Sequence, residues 1–190
     1  CRGLVVDEMG DVQVRPVQKF FAIQKMQGVQ KESSEGYCNG RGEVKMVTEK
    51  VDGEMMCGVM RNGGAELWSR GGWTAQAKSA TRWASEEGSG VLGVIADTHE
   101  LNATATFEYV GRQSKVKAEY RKTDLVLVAV RSNRTGIYWE HDELLELSQK
   151  YQVTAVHRFT ELEGMSLNEI QSLVRTWEGV EGVVAHMSSG

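Results

Sequence analysis

The residues with the clearest chemical potential are Lys50, Asp52 and Gly53, which stand together as Lys50-Val51-Asp52-Gly53. A lysine amine is a nucleophile toward phosphorus once it has lost its proton, and burial near other cations promotes that loss. An Asp-Gly pair just behind it can form a tight turn that fixes where the amine points. The same four residues also make an ordinary surface β-turn, and chance produces the pattern in about one chain in twenty to thirty of this length. On these residues alone both readings are open. Other reactive side chains offer less. Cys1, Cys38 and Cys57 are odd in number and far apart, which suggests neither a disulfide framework nor a zinc knuckle and fits a reducing cytoplasm. His99, His141, His157 and His186 show no metal-ligand spacing and receive no role.

The elements that must position Lys50 can be read around it. Residues 43–50 alternate, with Val44, Met46 and Thr48 on one side and Lys45, Val47 and Glu49 on the other, so a strand delivers Lys50 at its end. A hairpin follows, from Met55 to Met60 and from Ala65 to Trp68, joined at Asn62-Gly63, a dipeptide that accepts positive φ at both residues. Lys50-Val51-Asp52-Gly53 therefore sits between two strands. Upstream, residues 3–7 and 12–15 read as a short hairpin turning at Met9-Gly10, Phe20 and Phe21 read as buried aromatics, and residues 27–42 read as a polar surface loop. Downstream, residues 74–85 have helical composition with Gly88 as the stop, and Thr104 to Val110 is β-prone. The apolar run Leu125 to Val130 reads as a central strand buried on both faces. A short helix is expected over 143–152. Another starts at Ser166, whose capping box with Glu169 precedes the apolar stripe Leu167, Ile170, Leu173, Val174 and Trp177, with Gly179 as its end. Hairpins and segregated helices make the class α+β.

The chain has 190 residues, of which 41% are hydrophobic and 25% charged, the balance of a soluble domain with one core. A single domain over residues 1–190 is expected. No apolar run reaches the roughly eighteen residues of a membrane span, and the N-terminus lacks the layout of a signal peptide. A soluble cytoplasmic protein follows from that reading. A net charge of −4 argues against holding nucleic acid by bulk electrostatics, yet leaves room for a local basic groove. Apolar residues lie almost at both ends, at Leu4-Val5-Val6 and Val183-Val184-Ala185, so a domain cut from a longer protein at both ends is expected.

Cys1-Arg2-Gly3-Leu4 and Arg15-Pro16-Val17-Gln18-Lys19-Phe20-Phe21 together resemble the opening of the bacteriophage T-even RNA ligase 1 family, shared in looser form by fungal and plant tRNA ligases. Thr48-Glu49-Lys50-Val51-Asp52-Gly53 resembles that family's nucleotidyltransferase signature. Leu67-Trp68-Ser69-Arg70-Gly71-Gly72, Thr106-Phe107-Glu108-Tyr109-Val110 and Val180-Glu181-Gly182-Val183-Val184-Ala185 resemble the blocks that follow it, in the family's order. The resemblance implies an α+β nucleotidyltransferase domain, ATP-grasp-like, of antiparallel sheets with flanking helices and with ATP between two sheets. It implies that Lys50 becomes bonded to AMP, that AMP passes to an RNA 5′-phosphate, and that a 3′-hydroxyl then displaces it. Arg2 and Lys19 would face the departing phosphates, whose charge they would stabilise. Asp52, Gly53 and Arg70 would complete the ATP site. Glu108, pointing away from Phe107 and Tyr109, would meet the ribose, and Glu181 would help hold magnesium. The partners implied are RNA ends, in RNA repair or tRNA processing; the resemblance leaves the oligomeric state open.

Departures from the family pattern are specific. Arg70 stands where the phage enzyme commonly has lysine. Gly111-Arg112-Gln113-Ser114-Lys115 lacks the family's proline and Asn-Arg pair, with Lys115 as the candidate substitute, and the final Lys-x-Lys strand does not occur before Gly190. Trp68 and Trp73 read as packing residues rather than base-stacking ones. The alternative reading is a non-catalytic nucleotide- or RNA-binding fragment or degenerate homologue. DNA ligases and GTP-using capping enzymes share the lysine motif, but the upstream Arg-Gly and Lys-Phe-Phe blocks favour an RNA ligase.

Overall fold

The computed structural model describes residues 3–20, 43–111 and 122–188. In chain order its strands are β1 (Val5–Val6), β2 (Val12–Val14), β3 (Val44–Glu49), β4 (Glu54–Arg61), β5 (Gly64–Ser69), β6 (Ala103–Val110), β7 (Asp124–Ser132) and β8 (Val183–Met187). Its α-helices are α1 (Ala75–Glu86), α2 (Ser89–Glu100), α3 (His141–Tyr151) and α4 (Leu167–Val174). These elements form two compact units, the first of Cys1–Gln18 with Val51–Ala155, the second of Lys19–Lys50 with Val156–Gly190. None of the helices is long and apolar enough to cross a membrane. The α+β class is as expected.

The first unit is built on an antiparallel sheet in the order β5-β4-β6-β7. Asn62 and Gly63 take φ of 51° and 77°, the conformation their hairpin needs. On one face Met56, Leu67, Ala103, Ala105, Phe107, Leu125 and Leu127 share a core with Ala77, Ala80 and Ala84 of α1 and Val91, Val94 and Ile95 of α2. On the other face Val14 of the β1–β2 hairpin packs with Cys57 and Val59. A bulge at Thr106/Phe107 lets β6 and β7 keep their apolar residues on the helix face despite the extra residue in β7.

Three features among the described residues differ from the sequence reading. β7 lies at the end of the sheet rather than in its centre. It is still buried because the segment after α3 covers its edge, with Leu127 N–H donating to Thr154 O at 2.8 Å. Gly88 follows the end of α1 as expected, its N–H donating to Trp83 O at 3.1 Å, but it is also the N-cap of α2, a helix the sequence reading missed. Glycines lower α2's propensity, but they are there for packing: a Cβ on Gly90 would lie 1.9 Å from Tyr151 O, and one on Gly93 2.3 Å from the Tyr151 ring. Phe20, expected to be buried, is 55% exposed, and Trp73 is exposed as well, whereas Trp68 packs beside Cys57 and Val59 as expected.

In the second unit β3 pairs antiparallel with β8. Val44, Val47, Leu162 and Ile170 form its core. The strict alternation expected for β3 fails because a bulge between Val44 and Met46 shifts the parity, so that Val44 and Val47 face the same core. Ser166 caps α4 as expected: its Oγ accepts from Glu169 N–H, and Glu169 Oε2 accepts from Ser166 N–H at 2.8 Å. The helix ends at Val174, short of the expected stripe, yet Trp177 still packs on Phe159 with ring centroids 5.0 Å apart.

Candidate active site

Lys50 follows directly on β3. Its N–H donates to Gly182 O at 2.9 Å, which carries the β3–β8 pairing one step past the strands and brings Glu181 beside it. The Lys50 amine and the Glu181 carboxylate form an ion pair, their side chains 34% and 26% exposed. β3 is held from its other edge too, since Glu49 N–H donates to His157 O at 2.9 Å and Phe159 N–H to Val47 O at 2.8 Å. Arg158 between them is locked by two bonds to Glu163, of 2.6 and 3.1 Å. The nucleophile candidate therefore stands on a strand fixed along both edges.

Thr48 and Lys50 share a face of β3 by alternation, opposite the side where Val47 meets the second unit's core. On that face Thr48 Oγ1 is hydrogen-bonded to His186 Nε2 at 3.1 Å. The sequence reading gave His186 no role. Its position two residues past Val184 in β8 is the signal that could have found it, because Val184 pairs with Thr48.

The first unit carries the rest of the signature. Asp52 is only 6% exposed, unlike an acid in a surface turn. A Cβ on Gly53 would stand 2.4 Å from Tyr109 O, so glycine is required for this loop to lie against β6. Together these observations decide against the plain surface turn. Glu108 lies on β6 opposite Met55. Because Phe107 and Tyr109 belong to the helix-side core, Glu108 faces the other side of the sheet, as expected. Cys57 shares that face; burial above all, with a contribution from the Glu108 charge, pushes its thiol up to about 12. A cavity of about 270 Å³ lined by Trp83, Glu87, Tyr151 and Thr154 lies on the helix side, away from Glu108.

Arg70 is exposed at the turn after β5. Gly3, with φ of 77°, lies against Pro16 and the Arg70 backbone, where a Cβ would stand 3.3 and 3.7 Å away. Three blocks far apart in sequence thus meet in the first unit. Lys19 is exposed and assigned to the second unit. Arg2, Phe21, Lys115 and the expected 27–42 loop lie outside the described residues. No cluster of three metal-ligating side chains occurs among the described residues.

A mixed α+β fold of antiparallel sheets with flanking helices structurally matches RNA ligase nucleotidyltransferase domains. Residues 1–189 match the family described as RNA ligase, of the T4 RNA ligase 1 type, and the chain belongs to that family. A protein of Thermovibrio ammonificans named "Putative RNA ligase" is 24% identical over 185 residues, which are 97% of this chain and 46% of the relative. The Naegleria gruberi RNA ligase with pyrophosphate superposes with a TM-score of 0.59 at 19% identity, covering 100% of this chain and 58% of that one. An archaeal ATP-dependent RNA ligase gives 0.56 at 22% identity, covering 76% and 39%. The chain thus spans about half the length of these relatives.

Proposed function

We propose that residues 1–190 are the adenylyltransferase part of an ATP-dependent RNA ligase in which Lys50 is the nucleophile. Lys50 Nζ, having released its proton to solvent, bonds to the α-phosphorus of ATP as the bond to the β-phosphate oxygen breaks, and pyrophosphate leaves. An RNA 5′-phosphate oxygen then takes the AMP from the lysine. Finally a 3′-hydroxyl attacks that 5′-phosphorus, AMP leaves and the strand is joined. The observation that carries this reading is local: a lysine pinned at a strand end beside a carboxylate, followed by a buried Asp52 and by a Gly53 that tolerates no side chain.

In this reading Arg2, Lys19 and Arg70 neutralise the triphosphate, and the charge that develops on pyrophosphate is their target. Glu108 accepts hydrogen bonds from the ribose, and Asp52 with Gly53 fixes the approach of the chain to the nucleotide. A mutant of the Naegleria gruberi RNA ligase was solved with ATP and manganese. A divalent ion of the magnesium kind suits the donors here, since it needs one or two protein carboxylates and takes its other oxygens from phosphates and water. Glu181, partly exposed and beside the Lys50 amine, would hold it. When bound it supplies charge neutralisation at the phosphates. RNA repair or tRNA processing in the cytoplasm is the setting this activity fits.

The test is transfer of labelled AMP from ATP to the intact protein. Lys50→Ala abolishes it; undiminished labelling would put the nucleophile on another residue.

A further inference from the structure

Arg15 follows β2, and its N–H donates to Thr104 Oγ1 on β6 at 2.9 Å. Thr104 is paired across the sheet with Arg131 of β7, so Arg131 stands on the same face, the one that also carries Glu108. Arg131 is placed rigidly. Its Nε donates to Gly136 O at 2.8 Å and its Nη1 to Pro16 O at 3.0 Å, while its guanidinium lies 4.9 Å from the centre of the Tyr138 ring. Tyr138 is itself held, its hydroxyl accepting from Gln18 N–H at 2.8 Å.

These bonds leave Nη2 of Arg131 uncommitted, and the Nε of Arg15 is buried with no hydrogen-bond partner among the described residues. Both guanidinium groups lie against Gly136. A Cβ on Gly136, whose φ is 76°, would stand 2.6 Å from Arg15 Nη1 and 3.3 Å from Arg131 Nη2. No carboxylate forms an ion pair with either arginine among the described residues. Two neighbouring cations with spare N–H groups repel each other until an anion comes between them. The guanidinium fork matches a phosphate, and Tyr138 adds a ring against which a nucleotide's sugar or base can rest.

We propose that Arg15 and Arg131 form a binding site for a backbone phosphate of the RNA strand that the ligase joins. The proposal rests on the RNA ligase reading. Glu108, which that reading gives to the ATP ribose, pairs with Val126, and Arg131 pairs with Thr104 four residues along β6, a separation of about 13 Å. A polynucleotide carries a phosphate at every residue and continues over such a distance, whereas the triphosphate already has Lys19 and Arg70 assigned to it. In a chain of net charge −4, a cation pair without carboxylates is a local exception that a polyanion would use.

The experiment is fluorescence anisotropy of a short single-stranded RNA, 5′-phosphorylated and labelled at its 3′ end, titrated with the intact protein at several salt concentrations. Arg15→Met, which keeps the apolar stem, should weaken binding about tenfold and reduce the slope of log affinity against log salt by about 0.7, the share of one phosphate contact on a single strand. Arg15→Lys should restore part of the affinity and the slope, which a merely structural role would not do. Equal affinity and slope in wild type and Arg15→Met overturn the proposal, and so does loss of AMP labelling with RNA affinity kept, which would assign the arginines to ATP. If Arg15→Met does not fold, wild type decides: bound RNA must slow amide exchange over residues 17–18 and 132–138, and an unchanged pattern overturns the site. A wild type that takes no AMP label and binds no RNA refutes the ligase reading as a whole, whereas label and RNA binding with an unmoved Arg15→Met refute only the arginine site.

Discussion

In the proposed reaction the Lys50 amine attacks phosphorus and has to be held in place, and Lys50 is held by its backbone on one side and its head group on the other. The N–H bond to Gly182 O fixes the strand end, and the ion pair with Glu181 fixes the amine. The strength of that pair says what it is for. Both side chains are roughly one-quarter to one-third exposed, and an exposed ion pair contributes about 0–1 kcal/mol. Glu181 is therefore a poor candidate for a stability residue. Glu181→Gln should leave the melting temperature within a few degrees of wild type while lowering lysyl-AMP formation by at least about tenfold, the scale of losing a group that organises a metal site. Parallel losses of stability and labelling would show instead that the carboxylate only props up the fold.

At the scale of elements, α2 shows how packing overrides propensity. Alanine in place of glycine favours a helix by about 1 kcal/mol, yet a Cβ on Gly90 would meet the Tyr151 carbonyl oxygen at 1.9 Å. That neighbour is backbone and cannot rotate away, and overpacking costs about 1–3 kcal/mol. Gly90→Ala should thus destabilise on balance, read as a lower urea midpoint; a gain would mean that the α2–α3 contact is looser than the structure has it. For α4 the prediction concerns pH. Bonds from Ser166 hold the Glu169 carboxyl below its ordinary value of 4.5. A lowered folded value means the stabilisation is complete above 4.5 and disappears as pH falls through the folded value. The melting difference between wild type and Glu169→Gln should then narrow between pH 7 and pH 3, and a constant difference would remove the carboxylate from the account. The same two helices mark what was legible in the sequence. The Ser166–Glu169 box and the Asn62-Gly63 turn were readable because local hydrogen bonds and φ angles decide them. α2 was not, because its glycines make sense only against Tyr151, some sixty residues on. The strand carrying Lys50 was readable, but the partner that reaches its amine is set by β8 pairing, and the bulge at Val44/Met46 that reverses part of β3 left no mark in the alternation.

For the whole molecule the consequence lies in how unequally the two units are built. The first has a four-stranded sheet with helices packed over one face, and its core runs through Phe107, Met56, Leu67, Ile95, Leu125 and Leu127, all of them fully buried. The second has a two-stranded sheet on a core of Val44, Val47, Leu162 and Ile170. Among the described residues that core holds four buried side chains at about 1.5–3 kcal/mol each, with partly buried neighbours such as Phe159 and Trp177 packed on it, a smaller offset to the entropy of ordering than the first unit's core provides. Local opening draws on the least stable parts first. Amides of β3 and β8 should accordingly exchange with solvent deuterium before those of β4, β6 and β7, measured by mass spectrometry on peptides from the native protein. In the proposed reaction the lysine serves ATP, then an adenylated intermediate, then RNA, and its strand, though hydrogen-bonded along both edges, belongs to the unit with the smaller core among the described residues. ATP with a divalent ion should slow exchange in β3 and β8 if the nucleotide is bonded there. Equal protection of both sheets without nucleotide, or no change in β3 when nucleotide is added, would contradict this division of stability.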